Sequence, residues 1–247
     1  MLKNFKILLL FIVLGSSSLS YSQIFFGGRV GLNMSMLSLQ PELVQYNAVS
    51  DFTPKLNVNV AAFGYFEIGP YIAIQPEFIY SRKGLKSTID KRIGEEQDTI
   101  LTGEWTYTLD YLEMPLMIKL SLNSEGFDPF IEFGGYYGYM VYANYQAEAY
   151  LNNEMILDDE FTFDLGGNQN ESLQRNEYGF KLGIGGTLEL SKGIAFFSIR
   201  YSQGLTDIIK YNVVPEGHQA SYNRVFMLTM GYAFELRRNN TDKVYYY

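Results

Sequence analysis

The sequence predicts an all-β fold: an antiparallel, up-and-down transmembrane β-barrel of about eight strands, behind an N-terminal signal peptide. Three observations carry this prediction. The chain opens on an export signal, eight later segments alternate apolar and polar residues with period two, and the charges of those segments keep to one phase.

The export signal is read first. Lys3 and Lys6 form a positive region, Ile7 to Leu14 a short apolar run, and Gly15-Ser16-Ser17-Ser18 breaks it. Ser20-Tyr21-Ser22 fits the small-x-small cleavage rule, so the mature chain is expected to start at Gln23. The run is too short for a bilayer-spanning helix, and no later segment is long and apolar enough for one. The expected organisation is a signal peptide over 1–22, a barrel over 23–236 and a C-terminal tail over 237–247.

Alternation marks strands with two unlike faces. The first strand sets Phe26, Val30, Leu32 and Met34 against Arg29, Asn33 and Ser35. The second sets Leu56, Val58 and Val60 against Lys55, Asn57 and Asn59. In the third, Ile72, Ile74, Phe78 and Tyr80 oppose Gln75, Glu77, Ser81 and Lys83. In the fourth, Leu112, Met114, Leu116 and Ile118 oppose Tyr111, Glu113, Met117 and Lys119. The fifth places Ile131, Phe133, Tyr137 and Tyr139 against Glu132, Gly134 and Gly138. The sixth places Phe180, Leu182 and Ile184 against Lys181, Gly183 and Gly185. The last two carry Phe197, Ile199 and Tyr201 against Ser198 and Arg200, and Phe226, Leu228, Met230 and Tyr232 against Met227, Thr229 and Gly231.

Compact turn signals at 67–70, 123–126 and 191–193 alternate with long polar stretches near 36–54, 84–104, 144–176 and 205–223. Short turns at one end and long loops at the other suit an outer-membrane barrel, with the termini on the periplasmic side.

A soluble lipocalin-like carrier would alternate in the same way with its faces exchanged. The charges favour the membrane. Arg29, Lys55, Glu67, Glu77, Lys83, Glu113, Lys119, Glu132, Lys181, Glu189 and Arg200 share one phase. A soluble exterior tolerates phase errors, whereas Arg or Lys facing lipid at midplane costs about 2–4 kcal/mol. Glycines crowd the same phase, as a narrow interior filled by converging side chains requires. Aromatics sit toward the strand ends of the apolar phase, where an interface girdle belongs. With five Glu against six Lys or Arg, the interior is expected to pair its charges and to be plugged.

The bulk composition excludes other classes. The 247 residues are 47% hydrophobic and 19% charged, with net charge −8, which argues against a nucleic-acid partner. Cysteine is absent, removing disulfides, thiolate metal sites and a Cys nucleophile. The 21 Tyr and 18 Phe suit strands and membrane interfaces.

Four stretches resemble the PorT-like outer-membrane β-barrel family of Bacteroidetes. They are Val30-Gly31-Leu32-Asn33, the run from Ile74 to Gly84, the run from Tyr111 to Leu116, and the run from Arg200 to Asp207. The middle two are the most specific, since Pro76 and Pro115 each interrupt a strand pattern. The resemblance implies the fold, an outer-membrane location and a bacteroidete source. PorT itself is associated with the type IX secretion apparatus, but nothing here singles out PorT proper. Phe234 would serve as the terminal aromatic of the last strand, although a tail continues past it.

Catalytic candidates are weak. His218 is the single histidine, in the last outer loop with Ser202 and Ser221 near in sequence, and a solvated role is the simpler one. Asp158-Asp159-Glu160 lies in an acidic third loop with Glu148, Glu154, Asp164 and Glu171 but lacks the spacing of a calcium loop. Gly183-Ile184-Gly185-Gly186 opens no helix and so forms no phosphate cradle. No catalytic, cofactor or metal residue is assigned. The expected role is non-enzymatic, structural or interactive, through the outer loops. Outer-membrane lipid is the expected partner, with envelope or secretion proteins beside it. Lipid-modifying enzyme and small-solute channel are the alternatives.

Overall fold

The computed structural model describes residues 23–37, 51–93, 99–163, 165, 173–208, 210 and 220–237. Nine strands account for most of them: β1 (Ile24–Leu37), β2 (Asp51–Glu67), β3 (Ile72–Ile93), β4 (Thr99–Ser121), β5 (Phe127–Leu151), β6 (Glu154–Thr162), β7 (Asn176–Leu190), β8 (Gly193–Gly204) and β9 (Asn223–Arg237). The predicted signal peptide, the tail beyond Arg237 and His218 lie outside the described residues.

All neighbouring strands pair antiparallel. The hydrogen-bonded order is β4-β3-β2-β1-β9-β8-β7-β5-β6, and β4 also pairs with β5. That last pairing closes a ring of eight strands, the expected barrel. The ninth strand, β6, stands outside the ring. β5 uses one edge twice: Phe127–Tyr139 pair with β7, and Asn144–Leu151 pair with β6.

Two of the expected loops are therefore corrected. The polar stretch 84–104 is mostly strand, with β3 and β4 paired out to Ile93 and Thr99. The stretch 144–176 contains the β5–β6 hairpin. Polarity disguised both segments, since beyond the bilayer one face of these strands meets water, while the other still buries Leu85, Ile89, Ala147 and Ala149. The β5–β6 turn did carry a readable signal. Asn152 and Asn153 adopt φ 49° and 67°, the left-handed pair that a two-residue hairpin turn requires and Asn tolerates.

The predicted phases are the ones observed. Arg29, Gln75, Glu113, Lys181 and Arg200 are buried, while Val30, Leu56, Ile184, Leu228 and Met230 are exposed on the outside. Exposed tyrosines and phenylalanines mark both ends of the apolar band: Tyr71, Phe127 and Phe234 at the turn end, Tyr80, Tyr139 and Tyr178 at the other. Three of the charges depart from the expected interior. Glu189 is exposed at the turn end, and Glu67 and Lys55 are only partly buried, because each lies near a strand end where the barrel opens to water.

One outward ion pair breaks the phase rule. Arg82 on β3 reaches Asp110 on β4 at 2.8 Å, and the Tyr80 hydroxyl donates to the same carboxylate at 2.6 Å. These residues lie at the end of the apolar run Ile72–Tyr80. A span of nine to eleven tilted residues crosses a bilayer, so the pair falls at the outer boundary, where Arg82 reaches water and headgroups while Asp110 stays covered beneath it. Beyond it β3 continues from Lys83 to Ile93, about 35 Å of strand. Gly84 marks the departure, with φ 146° beside a register shift between β2 and β3. Together β3, β4, β5 and β6 form a sheet standing above the membrane.

Candidate functional site

Two features are candidates for function: the charged interior and the outer sheet. The interior is built in layers, each dictated by which side chains the inward phase delivers.

At the turn end, Phe25, Phe63, Tyr65, Phe130, Ile194 and Phe196 form a buried apolar cluster with Ala73 and Ala233. Phe63 and Phe196 meet edge to face, their ring centroids 5.2 Å apart. Lys119 rests on this plug, 4.0 Å from the Phe130 centroid and 4.8 Å from that of Phe196. An ammonium over aromatic faces is attracted by their quadrupoles, more so once desolvated.

The first charged layer lies above. Glu77 accepts from Arg29 at 2.6 Å and from both terminal nitrogens of Arg200 at 2.9 Å. Arg200 also forks onto Glu132, through Nε and through Nη2 at 2.7 Å. Gln75 donates to Glu77 at 2.5 Å. β1, β3, β5 and β8 are thereby tied together across the lumen.

A second layer follows. Glu113 receives Lys83 and Lys181, each at 2.7 Å. Lys83 bridges on to Glu177 at 2.5 Å, and Glu177 accepts from Asn223 at 2.8 Å. Glu177 is not among the interior charges that the alternation predicts, because it borders the polar stretch 144–176. It supplies the carboxylate that Lys83 shares with Glu113. Beside these layers Asn59 donates to Asn33 at 2.6 Å, and Asn33 donates to Ser81 at 3.1 Å.

Glycine makes room for the network. A Cβ on Gly183 would lie 2.8 Å from Glu132 Oε1 and 2.9 Å from Arg200 Cγ. Gly183→Val is expected to displace this pair and to cost about 1–3 kcal/mol, as overpacking does. Urea unfolding in detergent micelles reads the effect, and an unchanged midpoint would contradict the packing.

The outer end is closed by apolar contact. Leu165, Leu173 and Ile208 from the connections pack on Leu109, Tyr111, Met140 and Ala143, with Phe163 at the margin. The Ser221 backbone N–H donates to Asp207 at 3.0 Å, and the Ile208 N–H to the Ser221 carbonyl at 2.9 Å. Ser221 and Ser202 are buried, and Ser202 accepts from Lys181 at 3.2 Å. Both serines thus serve the barrel's own hydrogen bonding.

The acidic residues of the expected third loop separate. Glu148 is on β5, and Glu154, Asp158, Asp159 and Glu160 are on β6, all exposed. Asp164 and Glu171 lie outside the described residues. Glu148 stands directly opposite Asp158 in the β5–β6 register.

Solved structures similar to the chain include Ail, the attachment invasion locus protein of Yersinia pestis, at 10% identity, covering 87% of this chain and 99% of that one, with TM-score 0.36. The neisserial surface protein A matches at 8% identity over 86% of this chain and 97% of that one, TM-score 0.40. OprG of Pseudomonas aeruginosa matches at 13% over 86% and 95%, TM-score 0.36. No curated protein matches the chain. The family model described as "Outer membrane protein beta-barrel domain" matches residues 16–210. The inward charges, the outward apolar band and this match agree: the chain belongs to that family and is a β-barrel protein of the bacterial outer membrane.

Proposed function

We propose that this protein is a closed, non-enzymatic barrel that presents a protruding β-sheet at the cell surface for interaction with other proteins. The carrying observation is the contrast between its two ends of use. The lumen is filled by an aromatic plug, two salt-bridged layers and an apolar cover, whereas β3 to β6 continue far beyond the bilayer as a sheet whose outermost strand, β6, is exposed along its whole length. An eight-stranded barrel is just wide enough for its side chains to fill it, so the barrel acts as a mount for what stands above it. Outer-membrane lipid surrounds the mount. A narrower role beside a protein-secretion apparatus, in a PorT-like protein of Bacteroidetes, rests on the resemblance of the Ile74–Gly84 and Tyr111–Leu116 stretches.

Planar-bilayer recording tests the closed barrel. Purified protein is expected to give no single-channel steps, and Phe130→Ala with Phe196→Ala is expected to leave that unchanged, since both charged layers remain above. Regular ohmic steps from the unaltered protein would identify a channel and overturn the reading.

A further inference from the structure

The outer sheet has an open edge, and its chemistry says what fits there. β6 pairs with β5 alone, and no strand lies on its other side among the described residues. All nine of its residues are exposed. An unpaired strand edge is a row of backbone donors and acceptors ready for an added strand.

The side chains restrict the occupant. Leu157, Asp159 and Phe161 are opposite Ala149, Ala147 and Tyr145, while Asp158 and Glu160 are opposite Glu148 and Gln146 on the other face. Leu157 and Phe161 are 41% and 54% exposed, large apolar side chains left in water on one face of the edge. On the other face Asp158 and Glu148 are like charges placed directly across the ladder, an arrangement that destabilises a sheet unless a cation joins it. No basic residue occupies β6. In a register that aligns the acidic run with itself, a second copy of β6 would bring Asp158, Asp159 and Glu160 against the same three acids, which disfavours self-pairing on charge.

We propose that the free edge of β6 takes an extended basic segment of a partner protein by strand addition, with Lys or Arg beside Asp158 and Glu160 and apolar residues beside Leu157 and Phe161. The inference rests on the surface-interaction reading above and names its site and partner chemistry.

The test uses the full-length protein in lipid nanodiscs and three fluorescent probe peptides of equal charge. One alternates Lys and Val, a second is the same peptide N-methylated at every residue, and a third is a Lys-Ala helix former. The alternating peptide is expected to bind. N-methylation should weaken binding at least about tenfold by removing the N–H donors of both edges, and the helix former should do no better. D158K with E160K, both on exposed positions, should weaken the basic peptide by a similar factor and favour its Glu-Val counterpart. Equal binding of all three basic peptides would show attraction by charge alone and overturn strand addition. Binding by none would overturn the site. Either failure leaves the closed barrel standing, because the absence of conductance tests that reading independently.

Discussion

Glu77→Gln is expected to be among the most damaging single substitutions in this barrel. Glu77 is the one carboxylate shared by Arg29 and Arg200, with both guanidinium groups fully buried beside it. Removing its charge leaves two buried arginines with Glu132, which Lys119 also approaches at 3.9 Å. Breaking a buried pair by deleting one partner costs about 3–5 kcal/mol, because the remaining charge stays desolvated. The expected result is a lower urea midpoint and loss of the compact band in unboiled SDS gels. Arg29→Met added to Glu77→Gln should recover part of the loss, since one excess cation leaves with it. Glu125→Gln, in an exposed turn, should stay within about 0.5 kcal/mol of the parent. An undamaged Glu77→Gln protein would mean that the layer does not hold the wall together.

Met230→Arg is the second large effect. Met230 is 64% exposed near the middle of β9, and its register partners are Val30 and Phe197, both outward and exposed. An arginine there faces acyl chains. The expected cost is about 2–4 kcal/mol, falling to about 0–1 kcal/mol at Leu236 near the strand end. Folding yield into lipid vesicles measures both variants. Equal yields for the two positions would place Met230 outside the hydrocarbon.

Much of this fold was legible in the sequence because the membrane enforces it. Where a strand crosses lipid, each side chain must suit hydrocarbon or lumen, and the outward phase stays apolar from Ile72 to Tyr80, with Ile79 the one large apolar side chain on the inward phase of that run. The resemblance stretches also supplied Glu77, Lys83, Glu113 and Arg200, so the residues that carry the likeness form the charged layers. Legibility fell where the lipid ended. Between Lys86 and Asp90 the buried Ser87 and Ile89 alternate with partly or fully exposed residues, and all of Glu154–Thr162 is exposed, so these polar stretches read as loop. Arg82 with Asp110 violates the alternation just where headgroups begin. The pairing of particular charges could not be read either, since it depends on which strands face each other across the lumen. Glu77 meets Arg200 from a distance of 123 positions along the chain.

The central claim is that the charged phase faces the lumen and the apolar phase faces lipid. The chain has no cysteine, so single cysteines can be placed along β9 without background. Nitroxide labels at Phe226, Leu228, Met230 and Tyr232, and at the intervening Val225, Met227, Thr229 and Gly231, would be read in lipid vesicles for collision with dissolved oxygen. A period-two profile is expected, with its maxima at the first four positions. Maxima at the second four would exchange the two faces and contradict it.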